Sequence, residues 1–240
     1  MGGAIFVCFE GVEGSGKTTQ AQILANRLNA EDYRITMVRE PGTTPLGRHL
    51  RDYLKSGQPL SPEAELFLFA AARAELVVGT IKPNLASGIS VIADRYEASS
   101  VAYQGYGRGL KLKIINTVNQ IVTDGCHPDI TILLDLQTDE EMKRIGLQLP
   151  LEMEFGGENP PNRMDIQSQR RFEDLPVQFH KKVRAGYLKL AKRNKESWVV
   201  LDATLDIEEL AEKIWDQVSL RLNRVPVKNL PEISLENNLI

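Results

Sequence analysis

The chain has 240 residues, of which 42% are hydrophobic and 25% charged, with a formal net charge of −3. That is enough to bury one full α/β core, and the lack of a basic excess argues against a nucleic-acid polymer as partner. No apolar run approaches the ~20 residues that cross a bilayer, no basic flank and small-residue cleavage site marks a signal peptide, and Cys8 and Cys126 form no disulfide or metal pattern, which fits a reducing, cytoplasmic setting.

Short apolar, β-branched runs predict strands over Ala4–Phe9, Ile35–Val38, Ile89–Ala93, Ile130–Leu136 and Trp198–Leu201. Their near-continuous hydrophobicity suits strands covered on both faces. Amphipathic periodicity predicts helices over Lys17–Leu28, Ser61–Val78, Leu112–Thr123, Leu175–Lys192 and Ile207–Leu222. The alternation implies a five-stranded parallel sheet with helices on both faces. The segment Gln148–Asn162, rich in Gly, Pro and Glu, reads as an exposed, mobile loop. The polar Asn223–Ile240, with two prolines, reads as a flexible tail after a domain of residues 1–222. His49, His127 and His180 show no ligand spacing.

After the first predicted strand comes Gly11-Val12-Glu13-Gly14-Ser15-Gly16-Lys17-Thr18, which fits G-x-x-x-x-G-K-[ST]. A chance match in a chain this long is on the order of one per cent. The position, between a strand and a helix start, is the one the chemistry needs. Glycines let successive N–H groups curl around one anion, and the helix N-terminus adds positive potential. Lys17 is placed to reach β- and γ-phosphates, the Thr18 hydroxyl to ligate Mg²⁺, and Thr19 to extend the ATP site. The sequence therefore predicts a three-layer α/β fold of the P-loop NTP hydrolase type. The loop alone says nucleoside triphosphate; GTPases, ATPases and kinases all use it.

The run Ile89–Ala93 ends in Asp94 and Arg95. A carboxylate at such a strand end helps hold Mg²⁺. An arginine beside it would repel the metal and makes sense beside a second anion, such as an acceptor phosphate. This points to transfer between two phosphate-bearing substrates. A non-catalytic nucleotide-binding module and an ATPase that moves a partner stay open on the residues alone.

Several motifs in order resemble the thymidylate kinase family: Phe9-Glu-Gly-Val-Glu-Gly-Ser-Gly-Lys-Thr-Thr19, Arg39-Glu-Pro-Gly42, Phe69-Ala-Ala-Ala-Arg73, Asp94-Arg-Tyr-Glu-Ala-Ser-Ser100 and Ala102-Tyr-Gln-Gly-Tyr-Gly-Arg-Gly109. Pro128-Asp129, Arg171-Phe-Glu173 and Leu201-Asp-Ala203 also fit. The resemblance implies a homodimer with a mobile lid, transferring the γ-phosphoryl of ATP to dTMP with Mg²⁺. It implies that Phe69 stacks on thymine, Arg73 donates to a base carbonyl and Ser100 sits at the base edge. Tyr103 lies against the deoxyribose and crowds out a 2′-OH, and Gln104 helps position the nucleotide. Arg39 and Arg95 hold the acceptor phosphate, Pro41 shapes that wall, and Glu13 reaches the sugar 3′-OH. Read without the family, Phe69 and Tyr103 are ordinary packing residues and Arg73 a surface charge.

The phosphate loop carries no arginine between Val12 and Ser15, and relatives of that kind take one from the lid, here about residues 142–173. Lys143, Arg144, Arg163, Arg170 and Arg171 are the candidates, with Arg171 first and Arg144 next. The resemblance weakens in two places. The segment Ile145–Gln169 is longer than usual, and Thr43 stands where the family usually has glycine.

Overall fold

Strand β1 (Phe6–Gly11) is buried at every position because it runs down the middle of the sheet. A computed structural model describes residues 4–56, 58–144 and 175–222. The sheet has five parallel strands in the order β2 (Ile35–Arg39), β3 (Ser90–Asp94), β1, β4 (Ile130–Asp135) and β5 (Trp198–Asp202). The five predicted strands are therefore all present. β1 and β3 run to a glycine and an acid one or two residues past the apolar runs, because pairing continues there: Gly11 stands opposite Leu134, and Phe9 opposite Asp94.

Helix α1 (Lys17–Ala30) buries Ala21, Leu24, Ala25 and Leu28 in one cluster with Ile5, Val7, Phe9 and Ile92. On the other face, Phe6, Cys8, Val91 and Ala93 pack with Leu76, Val77, Ile81 and Tyr96. This gives the three layers expected, and Cys8 is the buried thiol that its apolar setting predicts. Helix α2 (Pro45–Lys55) is not among the predicted helices, yet it carries a clear start signal. Thr44 accepts from the Gly47 N–H at 3.0 Å, and Pro45 opens the helix. Ser61 caps α3 (Pro62–Leu76) in the same way, accepting from the Ala64 N–H at 3.1 Å.

The helix predicted to end at Val78 instead continues through a π-helical turn, Val77–Ile81, into α4 (Lys82–Ala86). A second π-helical stretch, Val101–Gly107, follows α5 (Glu97–Ser100). There the Arg108 N–H bonds the Tyr103 carbonyl at 2.8 Å, five residues back. After α6 (Leu112–Thr123) and β4 come α7 (residues 138–144), α8 (Val177–Arg193) and α9 (Ile207–Leu222). The π stretch packs closely on α8. A Cβ at Gly186 would lie 2.6 Å from the Tyr106 ring, so glycine is what lets the two segments approach.

The parallel register brings the carboxyl ends of three neighbouring strands into a row. Arg39 stands opposite Asp94, and Asp94 opposite Phe9, two residues before Gly11. The expected mobile loop Gln148–Asn162, most of the lid about 142–173, and the tail 223–240 lie outside the described residues.

Candidate active site

The loop Gly11–Thr18 turns sharply off the sheet. Gly11 has φ +149°, and a Cβ there would stand 2.6 Å from the Leu134 carbonyl, so only glycine fits beside β4. Lys17 folds back on the loop: its Nζ donates to the Val12 carbonyl at 2.7 Å and to Ser15 Oγ at 3.4 Å. Burial pulls the Lys17 ammonium down to about 8, and the charge of Arg95 adds to this against Glu13, Asp94 and Glu10. Thr18, in the first turn of α1, donates to Asp94 Oδ2 at 2.6 Å. Burial pushes the Asp94 carboxyl up, but Lys17, the Thr18 hydrogen bond, Arg95 and Arg39 outweigh it and hold the group below its ordinary value. Asp94 therefore stays a carboxylate beside a hydroxyl, both oxygen donors.

Arg95 adopts φ +72°, a left-handed conformation that costs a non-glycine residue energy. The turn sends its side chain back over the loop instead of onward with the strand. Its NH1 donates to the Gly11 carbonyl at 3.1 Å, Tyr187 Oη at 3.2 Å and Ser99 Oγ at 3.3 Å. Its NH2 donates to Glu13 Oε1 at 2.6 Å and Tyr103 Oη at 3.2 Å. Tyr103 in turn donates to the other oxygen of Glu13. Burial raises the Glu13 carboxyl, while Arg95, Lys17 and Tyr103 together bring it below its ordinary value. Arg39 is half-exposed, with its Nε 3.6 Å from Asp94.

Several contributors carry no signal strong enough to single them out in sequence. Glu10 is fully buried in β1 and accepts from the Tyr96 and Ser99 N–H groups at 2.9 and 3.2 Å, and from the Ser99 and Tyr187 hydroxyls at 2.7 and 2.9 Å. It anchors the turn that aims Arg95. A carboxylate inside an apolar strand run was the available clue. Arg51, on α2, donates to the Pro41 carbonyl at 2.9 Å and adds a third arginine to this wall. Burial, with Arg39 next, lowers its basicity.

The residues expected to read the base differ in exposure. Phe69 is partly exposed, whereas Ser100 and Gln104 are each 1% exposed and Tyr103 5%. Gln104 donates to Glu65 at 2.9 Å. Arg73 is neither a surface charge nor an open donor. It is 1% exposed, and all three guanidinium nitrogens are engaged, with Glu40, Ser100, Asn119 and the Tyr96 carbonyl. Its burial requires this pairing, and it braces Ser100 from beneath. Pro41 follows a cis peptide bond with Glu40.

Among the lid candidates, Arg144 lies in α7 and donates to the Gly14 and Ala203 carbonyls at 3.1 and 3.0 Å, which puts it against the phosphate loop. Lys143 is exposed beside Glu140. Arg163, Arg170 and Arg171 lie outside the described residues. His180, which has no ligand spacing in the sequence, is buried and meets Glu141 and Glu13 in space.

Comparison with known proteins agrees with this geometry. The family model described as Thymidylate kinase matches residues 9–214. The thymidylate kinase of Halothermothrix orenii is 40% identical over 215 residues, covering 89% of this chain and 96% of the relative. That of Thermomicrobium roseum is 40% identical over 219 residues, 91% of this chain and 96% of the relative. The crystal structure of thymidylate kinase from Ehrlichia chaffeensis superposes with a TM-score of 0.69 at 32% identity, covering 90% of this chain and 99% of that one. With a phosphate loop, a strand-end acid and an adjoining arginine in register, and with relatives covered almost end to end, the chain belongs to the thymidylate kinase family.

Proposed function

We propose that the chain transfers the γ-phosphoryl group of ATP to the phosphate of dTMP, giving dTDP and ADP, a step toward dTTP. The observation that carries this reading is the aim of Arg95. It follows Asp94 directly and turns back to within 3.1 Å of the Gly11 carbonyl. Arg95 lies at the mouth of the loop with Arg39 beside the Asp94 carboxylate, and two arginines there suit an acceptor that itself bears phosphate.

In this reading Gly11–Thr19 cradles ATP, and Lys17 exchanges the Val12 carbonyl for the β- and γ-phosphates. The Thr18 hydroxyl and Asp94 carboxylate form an oxygen-only donor pair that suits Mg²⁺, and these two residues would hold it. Bound there, Mg²⁺ neutralises charge on the phosphoryl oxygens. The acceptor phosphate is already an anion near neutral pH, so no strong general base is required. What the chain supplies is alignment and positive charge. Arg39 and Arg95 hold the acceptor phosphate, with Arg51 and Pro41 shaping the same wall. To do so Arg95 trades its contact with Glu13 for the phosphate, which frees Glu13 toward the sugar. Phe69 offers a ring face to thymine, Tyr103 closes the sugar side, and Ser100 and Gln104 form the base edge with Arg73, which exchanges one of its present contacts to donate to a base carbonyl. Arg144 and Arg171 are the proposed lid cations, in a lid of about residues 142–173 on a domain of residues 1–222. A cytoplasmic location belongs to the same reading.

We also infer a homodimer. Leu46 and Tyr53 on α2, Phe67 on α3, and Ile114 and Ile121 on α6 are exposed, on helices that pack side by side. Phe67 is 57% and Ile121 71% exposed, and burying these side chains against a second copy would remove them from water.

Three outcomes are expected. In assays with ATP and dTMP, dUMP, dCMP, dAMP or thymidine, dTMP leads in kcat/KM, by about tenfold or more over dUMP, which lacks only a methyl group. Equal turnover of another acceptor removes the assignment. The kcat/KM for ATP, which reports the free enzyme, falls as pH rises through about 8. The sign follows from Lys17, whose value lies below the ordinary 10.5, so its charge is present below that pH and lost above it. A profile that stays flat there contradicts the role given to Lys17. Light scattering gives a mass near twice 26.8 kDa, and a monomer at micromolar concentration excludes the dimer.

A further inference from the structure

Glu13, Glu141 and His180 reach one point from three elements: the phosphate loop, α7 and α8. Each offers a ligand atom, and these atoms lie within 4.8 Å of one another. The Glu141 and His180 side chains are 0% and 2% exposed, deeper than most structural pairs of this type. His180 Nδ1 and Glu141 Oε1 meet at 2.7 Å. That contact satisfies one atom on each side chain. The remaining atoms, Glu141 Oε2 and His180 Nε2, are buried and make no hydrogen bond of good geometry among the described residues, although the Leu175 carbonyl approaches the imidazole. Native interiors seldom leave such atoms unpaired, so two in one cluster point to a bound group.

The donor chemistry narrows what that group is. An anion is disfavoured by two carboxylates. A proton shared between Nδ1 and Oε1 leaves Oε2 and Nε2 as they are. A divalent cation answers both, because two carboxylates and a neutral imidazole balance its charge and supply mixed O and N ligands. That set suits Mn²⁺ or Zn²⁺, whereas Mg²⁺ takes oxygen ligands such as those of Thr18 and Asp94. Two cations stand nearby: Arg95 holds Glu13 Oε1 at 2.6 Å, and Lys17 acts on both carboxylates. They limit affinity but leave Glu141 Oε2 and His180 Nε2 available.

We propose that Glu13, Glu141 and His180 form a second divalent-cation site, suited to Mn²⁺ or Zn²⁺ and separate from the Thr18–Asp94 pair. The site does not rest on the kinase reading, and its test uses no nucleotide. The full chain is titrated with Mn²⁺ and followed by electron paramagnetic resonance, with spin-echo modulation detecting a directly bound imidazole nitrogen. The expected result is a saturable ion with nitrogen modulation. His180→Asn removes the modulation and Glu141→Gln weakens binding of the nitrogen-ligated ion by about tenfold or more, while Asp94→Asn, which removes the oxygen-only pair, leaves the nitrogen modulation in place. The proposal is overturned by wild-type protein that binds no saturable Mn²⁺ or binds it without nitrogen modulation, readings that need no variant to fold. A nitrogen signal that survives His180→Asn overturns it equally.

Discussion

The hydrogen bond from Thr18 to Asp94, 2.6 Å long, ties the first turn of α1 to the end of β3. It links the two places in the chain where phosphate chemistry is written, 76 residues apart. The parallel register of β1 and β3 makes it possible, because Phe9 and Asp94 stand opposite each other and the chain leaves both strands on the same side. Placing a carboxylate there costs desolvation energy. Lys17, Arg95 and Arg39 offset it, and the same three cations are the groups that anionic substrates need. The site is thus held together by opposite charges, and in the proposed reaction the three cations turn to phosphates.

Arg95 shows how this arrangement is kept in place without substrate. Its left-handed backbone conformation is unfavourable for a side chain with a Cβ, and the fold compensates with a layer beneath it. Glu10 accepts hydrogen bonds from Tyr96, Ser99 and Tyr187, and Ser99 and Tyr187 accept from Arg95 in turn. The π-helical stretch Val101–Gly107 brings Tyr103 to the same guanidinium. The fork is therefore held in place without substrate, and in the proposed reaction its contact with Glu13 is the one exchanged for the acceptor phosphate. Aiming in advance reduces the entropy lost when a second nucleotide is ordered beside the first.

Much of this is legible in the sequence, for reasons that differ by residue. The strands are readable because a buried parallel strand has no polar face to interrupt it, as Ile130–Asp135 illustrates. The loop from Gly11 to Thr18 is readable because its chemistry needs particular residues at particular spacings. Helix α2, though not among the predicted helices, is legible as well, because Leu46, Leu50, Tyr53 and Leu54 recur at helical spacing and Thr44 and Pro45 mark its start. The π-helical turns leave no local signature, since their extra residue is stabilised by packing such as that of Gly186 on Tyr106. Arg73 misleads for a related reason. Its burial depends on Glu40 and Asn119, distant in sequence, and only the fold brings them to it. The same is true of His180 and Glu141.

The central claim is that Arg95 and the loop around Lys17 hold two anions that react with each other. A crystal structure with dTMP, Mg²⁺ and a non-hydrolysable ATP analogue tests it most directly. The account predicts the dTMP phosphate within hydrogen-bond distance of Arg95, the Arg95–Glu13 contact exchanged, and thymine against Phe69. A dTMP bound elsewhere, with the Arg95–Glu13 pair intact beneath the analogue, would contradict it.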